Sequence, residues 1–287
     1  MLRRRISKRA NKDAPPDMLP ACAANRGFLI DMFCAWSAKR SRTHPYVIRK
    51  LLRRANNLFD GGISGIDFRR FYFKILELSL PLCPNSTNRG LELLYKTQWW
   101  WHILRFVHDD RIRDMSQSPV IEAAVISCSS RGSDVVEIAD FGCGVAAKSM
   151  SACLTLRHLG RRSHLTLIDI GTPMLDFASW TARRLGIDAT SVETRVGIDP
   201  PVPRCDMVVA LNVIEHLPNP ERALKVIGDA VHPGGAVLAN LVNFSKRNIE
   251  HISPKLNALR SVLESCGFKK RDGDMILYVK SQAASGG

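Results

Sequence analysis

The sequence predicts an α/β fold: a mostly parallel sheet of seven strands wrapped by helices, with an all-helical cap on its N-terminal side. Three observations carry this expectation. From Val135 onward, short apolar runs alternate with stretches whose apolar residues recur at helical spacing, the pattern of a parallel sheet with crossover helices. Between the first run and its helix lies a glycine turn, Asp140-Phe141-Gly142-Cys143-Gly144-Val145-Ala146. From Phe28 to about Ser127, by contrast, only the helical period recurs.

Taken in order, residues 1–25 read as a flexible basic leader broken by Pro15, Pro16 and Pro20. The opening MLRRRISKRANK has no acidic residue before Asp13, so it is either a disordered leader or an organellar presequence. Residues 26–130 read as the helical cap. Phe28, Leu29, Met32, Phe33 and Trp36 form one helical face, Val47 to Phe59 a second and Phe68 to Leu76 a third. A further helix carries Leu91 to Val107, including Trp99 to Trp101, and the last spans Val120 to Ser127. The sheet domain covers 131–287, with strands at Val135 to Asp140, His164 to Asp169, Thr190 to Val196, Cys205 to Leu211 and Ala236 to Val242. A final pair, Phe268 to Arg271 and Met275 to Lys280, flanks the turn signal Asp272-Gly273-Asp274.

Three cofactor classes use a glycine turn in this position. As G-x-G-x-x-[GA], Gly142, Gly144 and Ala147 fit a dinucleotide site, with Asp169 about 20 residues on. As a phosphate loop, the stretch ends in Lys148-Ser149 but has Ala147 where the second glycine is required. As a site for a sulfonium cofactor, the acidic Asp140 ahead of Gly142 has a purpose. S-adenosylmethionine carries a cationic amino group and a sulfonium, whereas a carboxylate here repels phosphates.

The downstream order separates these readings. After Asp169 come CDMVVALNVIEHLPNPERAL, VHPGGAVLANL and LNALRSVLESCGF. At Asp140 to Ala146, Asp169, Asn212 to Pro220 and His232 to Gly235, over about residues 130–280, the chain resembles the class I S-adenosylmethionine-dependent methyltransferases. The segment Asn212 to Pro220 is most similar to the branch of small-molecule and quinone-biosynthesis O-methyltransferases. The resemblance implies a Rossmann-like sheet with an antiparallel last strand. It also implies that Asp140, Gly142, Cys143 and Gly144 cradle the methionine part, that Asp169 with Ile170 holds the ribose, and that Asn212 ends the fourth strand beside the transferred methyl. Two departures stand out: Ala146 replaces a third glycine, and Gly197-Ile198 replaces Gly-Asp, leaving the Ile198 backbone to meet the adenine.

For acceptor activation the candidates are His216, a base near neutral pH, and its neighbour Glu215. Relatives with E-x-x-E-H place a divalent metal there. Here Asn212 stands in place of the first carboxylate, so no metal is expected. No [DN]-P-P-[YF] motif of base-amine methylation follows the fourth strand, and no Pro-Cys nucleophile of cytosine-carbon methylation. These points favour a small-molecule or lipid-type acceptor, methylated at oxygen. Charge keeps two alternatives open. Of the net +14, residues 1–130 hold 22 basic and 11 acidic side chains, against 19 and 16 after them. An anionic partner, RNA or a membrane surface, is therefore weighed for the N-terminal half, as is a cofactor-binding but non-catalytic subunit. Eight singly scattered cysteines suit a reducing compartment, and no apolar run approaches the roughly 18 residues of a transmembrane helix. The expected location is the cytoplasm, or the mitochondrial matrix if the basic N-terminus is a presequence.

Overall fold

The computed structural model describes residues 26–41, 46, 117–129, 133–241, 256–271 and 276–282. The helices expected over 47–59, 68–76 and 91–107, the three tryptophans 99–101 and the turn at 272–274 lie outside these residues.

Strands β1 (Val135–Phe141), β2 (Arg162–Ile170), β3 (Asp188–Thr194), β4 (Cys205–Ala210), β5 (Val231–Ala239), β6 (Phe268–Lys270) and β7 (Leu277–Lys280) form one sheet. Its order is β3-β2-β1-β4-β5-β7-β6. The first five strands pair in parallel, and β7 runs antiparallel to both β5 and β6. The chain winds outward from β1 in one direction and from β4 in the other. The carboxyl ends of these two central strands thus open a crevice, where ligands bind in open α/β sheets.

Period-two alternation divides the core between the two faces. Ile138, Leu167, Met207 and Leu238 face one side, where they meet α2 (Gln117–Cys128), α3 (Ala147–His158) and α4 (Pro173–Arg184). Ala139, Ile168, Val208 and Val237 face the other, against α5 (Pro220–Ala230) and α6 (Leu256–Ser265). β4 is buried along its whole length, as befits a central strand, whereas the edge strand β3 is mostly exposed and rich in Thr and Ser. Cys153, Cys205 and Cys266 are free and buried, small hydrophobes as their apolar neighbours predict.

Sequence start signals locate two helices well. Thr172 accepts the Met174 N–H ahead of Pro173, and Asn219 accepts the Arg222 N–H ahead of Pro220. The Pro-Gly-Gly turn, in contrast, does not precede β5 but lies inside it. Cys205 pairs with Val231 and Met207 with Ala236, so His232 to Gly235 bulge opposite Asp206. A Cβ on Gly235 would sit 2.4 Å from the Asp206 carbonyl oxygen, which is why glycine stands there. Of the N-terminal half, α1 (Arg26–Ser41) docks on α4. Trp36 and Phe177 meet edge to face at 5.4 Å between centroids, and Met32 completes a cluster with Val145, Ala147 and Met174.

Candidate active site

A cavity of about 320 Å³ opens at the carboxyl ends of β1, β2 and β4, within the range of small-molecule sites. Its walls are the glycine turn from Asp140 to Ala146 and the first residues of α3, Asp169 and Ile170, Thr194 to Val196 with Ile198, the stretch after β4, Met174, Asn240 and Ile276. The residues singled out in the sequence thus meet in one place, with one exception.

The glycine turn takes its shape from left-handed backbone at Gly142 (φ +67°), Gly144 (φ +51°) and Ala146 (φ +56°). A Cβ at Gly142 would lie 2.4 Å from Val213 Cγ2, so this glycine lets the segment after β4 close on the turn. At Gly144 a Cβ would meet nothing within 4 Å; it would project into open space beside the backbone. Ala146 caps α3 in the conformation glycine favours, at a cost of about 1–2 kcal/mol. No side chain caps this helix, and the exchange of glycine for alanine is less mild than its small size suggests.

Asp169 is anchored by both oxygens. The Gly144 N–H donates to Oδ2 and the Ile170 N–H to Oδ1, each at 2.7 Å. Every carboxylate oxygen retains a second lone pair for a hydroxyl donor. Burial raises its pKa to about 6, against which the two backbone donors work. Asp140 is 4% exposed, and the Ser149 hydroxyl donates to its Oδ2 at 2.5 Å. Burial pushes it up to about 7, opposed by Ser149 and reinforced by Asp169. Cys143 lies between them and its thiol is driven well above the usual range, first by burial and then by both carboxylates. It is therefore a protonated packing group, not a nucleophile.

Across the cavity, Asn212 has φ +54° and is fixed by Asn240, a residue without a recognisable sequence signal. The short 3₁₀ turn Ile214–His216 follows, closed by a bond from the His216 N–H to the Val213 carbonyl at 3.0 Å. His216 lines the cavity. Glu215 does not: its side chain is buried, with Oε1 3.9 Å from His216 Nε2. Ile198 is 60% exposed at the rim, but its N–H donates to the Arg195 carbonyl at 3.3 Å, which leaves its carbonyl as the backbone group free of that turn. Met174 and Lys148 also line the cavity and were not singled out as ligand contacts. No group of three or more His, Cys, Asp or Glu suited to a metal ion occurs among the described residues.

The donor set suits a cationic, ribose-bearing ligand: two carboxylates, a backbone free of side chains at Gly144, and apolar Ile170, Met174 and Leu211 for a flat ring. A family profile described as a methyltransferase domain matches residues 139–237, from the end of β1 into β5. The chain carries a methyltransferase domain of the S-adenosylmethionine-dependent class. Among curated relatives, a ubiquinone biosynthesis O-methyltransferase of Photorhabdus laumondii is 29% identical over 179 residues, 60% of this chain and 69% of that protein. Proteins of the same name from Colwellia psychrerythraea and Aeromonas salmonicida are 27% and 26% identical, over 58% and 50% of this chain and 68% and 57% of theirs. A solved S-adenosylmethionine-dependent methyltransferase from Clostridium acetobutylicum overlays 64% of this chain and all of its own at a TM-score of 0.46 and 11% identity, too distant to bear on function.

Proposed function

We propose that this methyltransferase transfers its methyl group to an oxygen of a small-molecule or lipid-type acceptor, with His216 as general base. The observation that carries the cofactor half is the doubly anchored Asp169 beside the open backbone of Gly144. The relatives' printed name supports the oxygen acceptor. When bound, S-adenosylmethionine supplies an activated methyl group on a sulfonium centre. In this reading Asp169 holds the ribose hydroxyls, Asp140, Gly142, Cys143 and Gly144 enclose the methionine part, and Ile170 and the Ile198 carbonyl border the adenine. Asn212 closes the cavity next to the acceptor. His216 Nε2 takes the acceptor's hydroxyl proton, and the buried Glu215 carboxylate stabilises the resulting imidazolium. Within residues 26–130, the stretch ahead of α2 serves as a cap that excludes water and shapes the acceptor site, with the leader 1–25 before it and the catalytic domain over 131–287.

The basic excess of residues 1–130 favours one second reading, an RNA acceptor bound by that half. A cytoplasmic setting suits either, or the mitochondrial matrix if the basic N-terminus directs import; no helix among the described residues is long and apolar enough to cross a membrane. The test is incubation of the full chain with methyl-labelled S-adenosylmethionine and separate lipid, small-molecule and RNA extracts. Label in a lipid or small molecule supports the proposal, and label confined to RNA favours the second reading. Cofactor binding without label in any fraction refutes catalysis and leaves a binding subunit. With the acceptor in hand, His216→Ala should slow turnover by about 10²–10⁴-fold while leaving S-adenosylhomocysteine affinity within twofold.

A further inference from the structure

A buried amide, Asn240, and the exposed Asn212 join the strands on either side of the acceptor wall. Asn240 follows β5 directly, is 5% exposed and lines the cavity. Its Oδ1 accepts the Asn212 N–H at 2.7 Å and its Nδ2 donates to Asn212 Oδ1 at 2.6 Å. Both groups of the Asn240 amide thus engage one residue, 28 positions earlier in the chain. Asn212 is one of two described non-glycine residues with positive φ, a conformation asparagine tolerates better than most but that still favours an extended alternative. A backbone bond and a side-chain bond to the same partner hold it there.

What lies downstream gives the clamp a consequence. Val213, next in the chain, is the side chain that fills the space a Cβ would occupy at Gly142. Its carbonyl accepts the His216 N–H and so begins the turn that carries the imidazole. If Asn212 relaxed to an extended conformation, Val213 would swing off the glycine turn and His216 would move with it. The pair therefore links the cofactor side of the cavity to its acceptor side. A register bond between β4 and β5 cannot do this, because the last backbone pairing of the two strands is Ala210 with Ala239.

We propose that Asn240 is a positioning residue for methyl transfer: its amide, bonded twice to Asn212, sets the turn that seats Val213 on Gly142 and presents His216 to the cavity. The inference rests on His216 serving as the base and deepens that reading. It predicts a distinction between two substitutions. In Asn240→Asp, the side chain retains an acceptor for the Asn212 N–H, and its second oxygen accepts from the Asn212 amide after that amide turns over. In Asn240→Leu, similar volume is kept and both bonds are lost.

The experiment measures the full chain with no acceptor needed. The His216 imidazole is titrated by NMR, S-adenosylhomocysteine affinity is measured by calorimetry, and both are done well below the melting temperature. Asn240→Leu should move the His216 midpoint by about 0.5 pH units or more and weaken S-adenosylhomocysteine about tenfold. Asn240→Asp should hold the affinity within about twofold, while its added carboxylate raises the His216 midpoint by charge alone. If Asn240→Leu does not fold, Asn240→Ser, too short to make both bonds, takes its place with the same expectation. A variant that only lowers the melting temperature, with His216 titration and affinity unchanged, overturns the proposal, as does Asn240→Asp losing affinity as leucine does. If the wild type does not bind S-adenosylhomocysteine, the cofactor assignment fails; the His216 titration still decides the clamp.

Discussion

Asp140 ends β1 in a setting where its charge is unwelcome until a cation arrives. Its pKa of about 7 in the folded chain stands well above the roughly 3.9 of a free aspartate. Between these values the folded state binds the proton that the unfolded chain has released, so this group's stabilisation of the ligand-free fold is present at low pH and is lost as pH rises through about 4 to 7. The magnitude is on the order of a few kcal/mol. A cationic ligand needs the carboxylate ionised, so S-adenosylmethionine affinity should rise over the upper part of the same window. Thermal melts of the ligand-free protein at pH 5.5 and 8, with calorimetry at both, check the opposed trends. Asp140→Asn removes this titration and should shrink both slopes, leaving the smaller stability slope that Asp169 contributes up to about pH 6; equal slopes in wild type and variant would count against the assignment. Asp140, Gly142, Gly144 and Asp169 were legible in the sequence because they belong to one turn and one strand end. Asn240 was not, since its partner Asn212 becomes a neighbour only when β4 and β5 align. The left-handed backbone at Ala146 was equally hidden, because alanine does not advertise positive φ.

Among the described elements, α1 is one part of the N-terminal half whose packing reaches the site. Met32 and Trp36 share a cluster with Val145 of the glycine turn, Ala147 at the start of α3, and Met174 and Phe177 of α4. Arg40 adds a 2.7 Å ion pair to Asp176 and lies 5.5 Å from the Trp36 ring centroid, an exposed arrangement that contributes little beside the apolar contacts. Trp36→Ala removes a buried aromatic and should cost about 3–5 kcal/mol in a denaturant melt, or less if α1 undocks before the sheet unfolds. Because the same cluster backs the turn, S-adenosylhomocysteine should also bind several-fold more weakly. Loss of stability with full affinity would separate α1 from the site. The helical period of Met32 and Trp36 predicted this face correctly, yet gave no sign of what it would pack on. Strand positions were read within a few residues for the same reason of period, while the start of β5 was misplaced because a bulge breaks the alternation on which that reading depends.

At the scale of the molecule, the site exists only when five strands are assembled. Its walls run from Asp140 to Ile276 in sequence and touch the ends of β1, β2, β3, β4 and β5, so the unfolded chain has no counterpart to bind the cofactor. Ligand binding then adds directly to folding stability. At a hundredfold excess over its dissociation constant, S-adenosylhomocysteine should contribute about 2.7 kcal/mol, which for a chain of this size raises the melting temperature by roughly 5 °C or somewhat more. Asp169→Ala should abolish that shift at the same concentration, because the Gly144 and Ile170 N–H groups lose their common acceptor and the ribose loses its own. The net charge of +14 makes a control necessary, since the carboxylate end of S-adenosylhomocysteine is attracted to a basic surface. Surface attraction is screened within about 5 Å at 0.5 M salt, whereas hydrogen bonds inside an enclosed cavity are not. A shift that persists in high salt and vanishes in Asp169→Ala places the ligand in the cavity; one that disappears with salt in the wild type would place it on the basic surface instead.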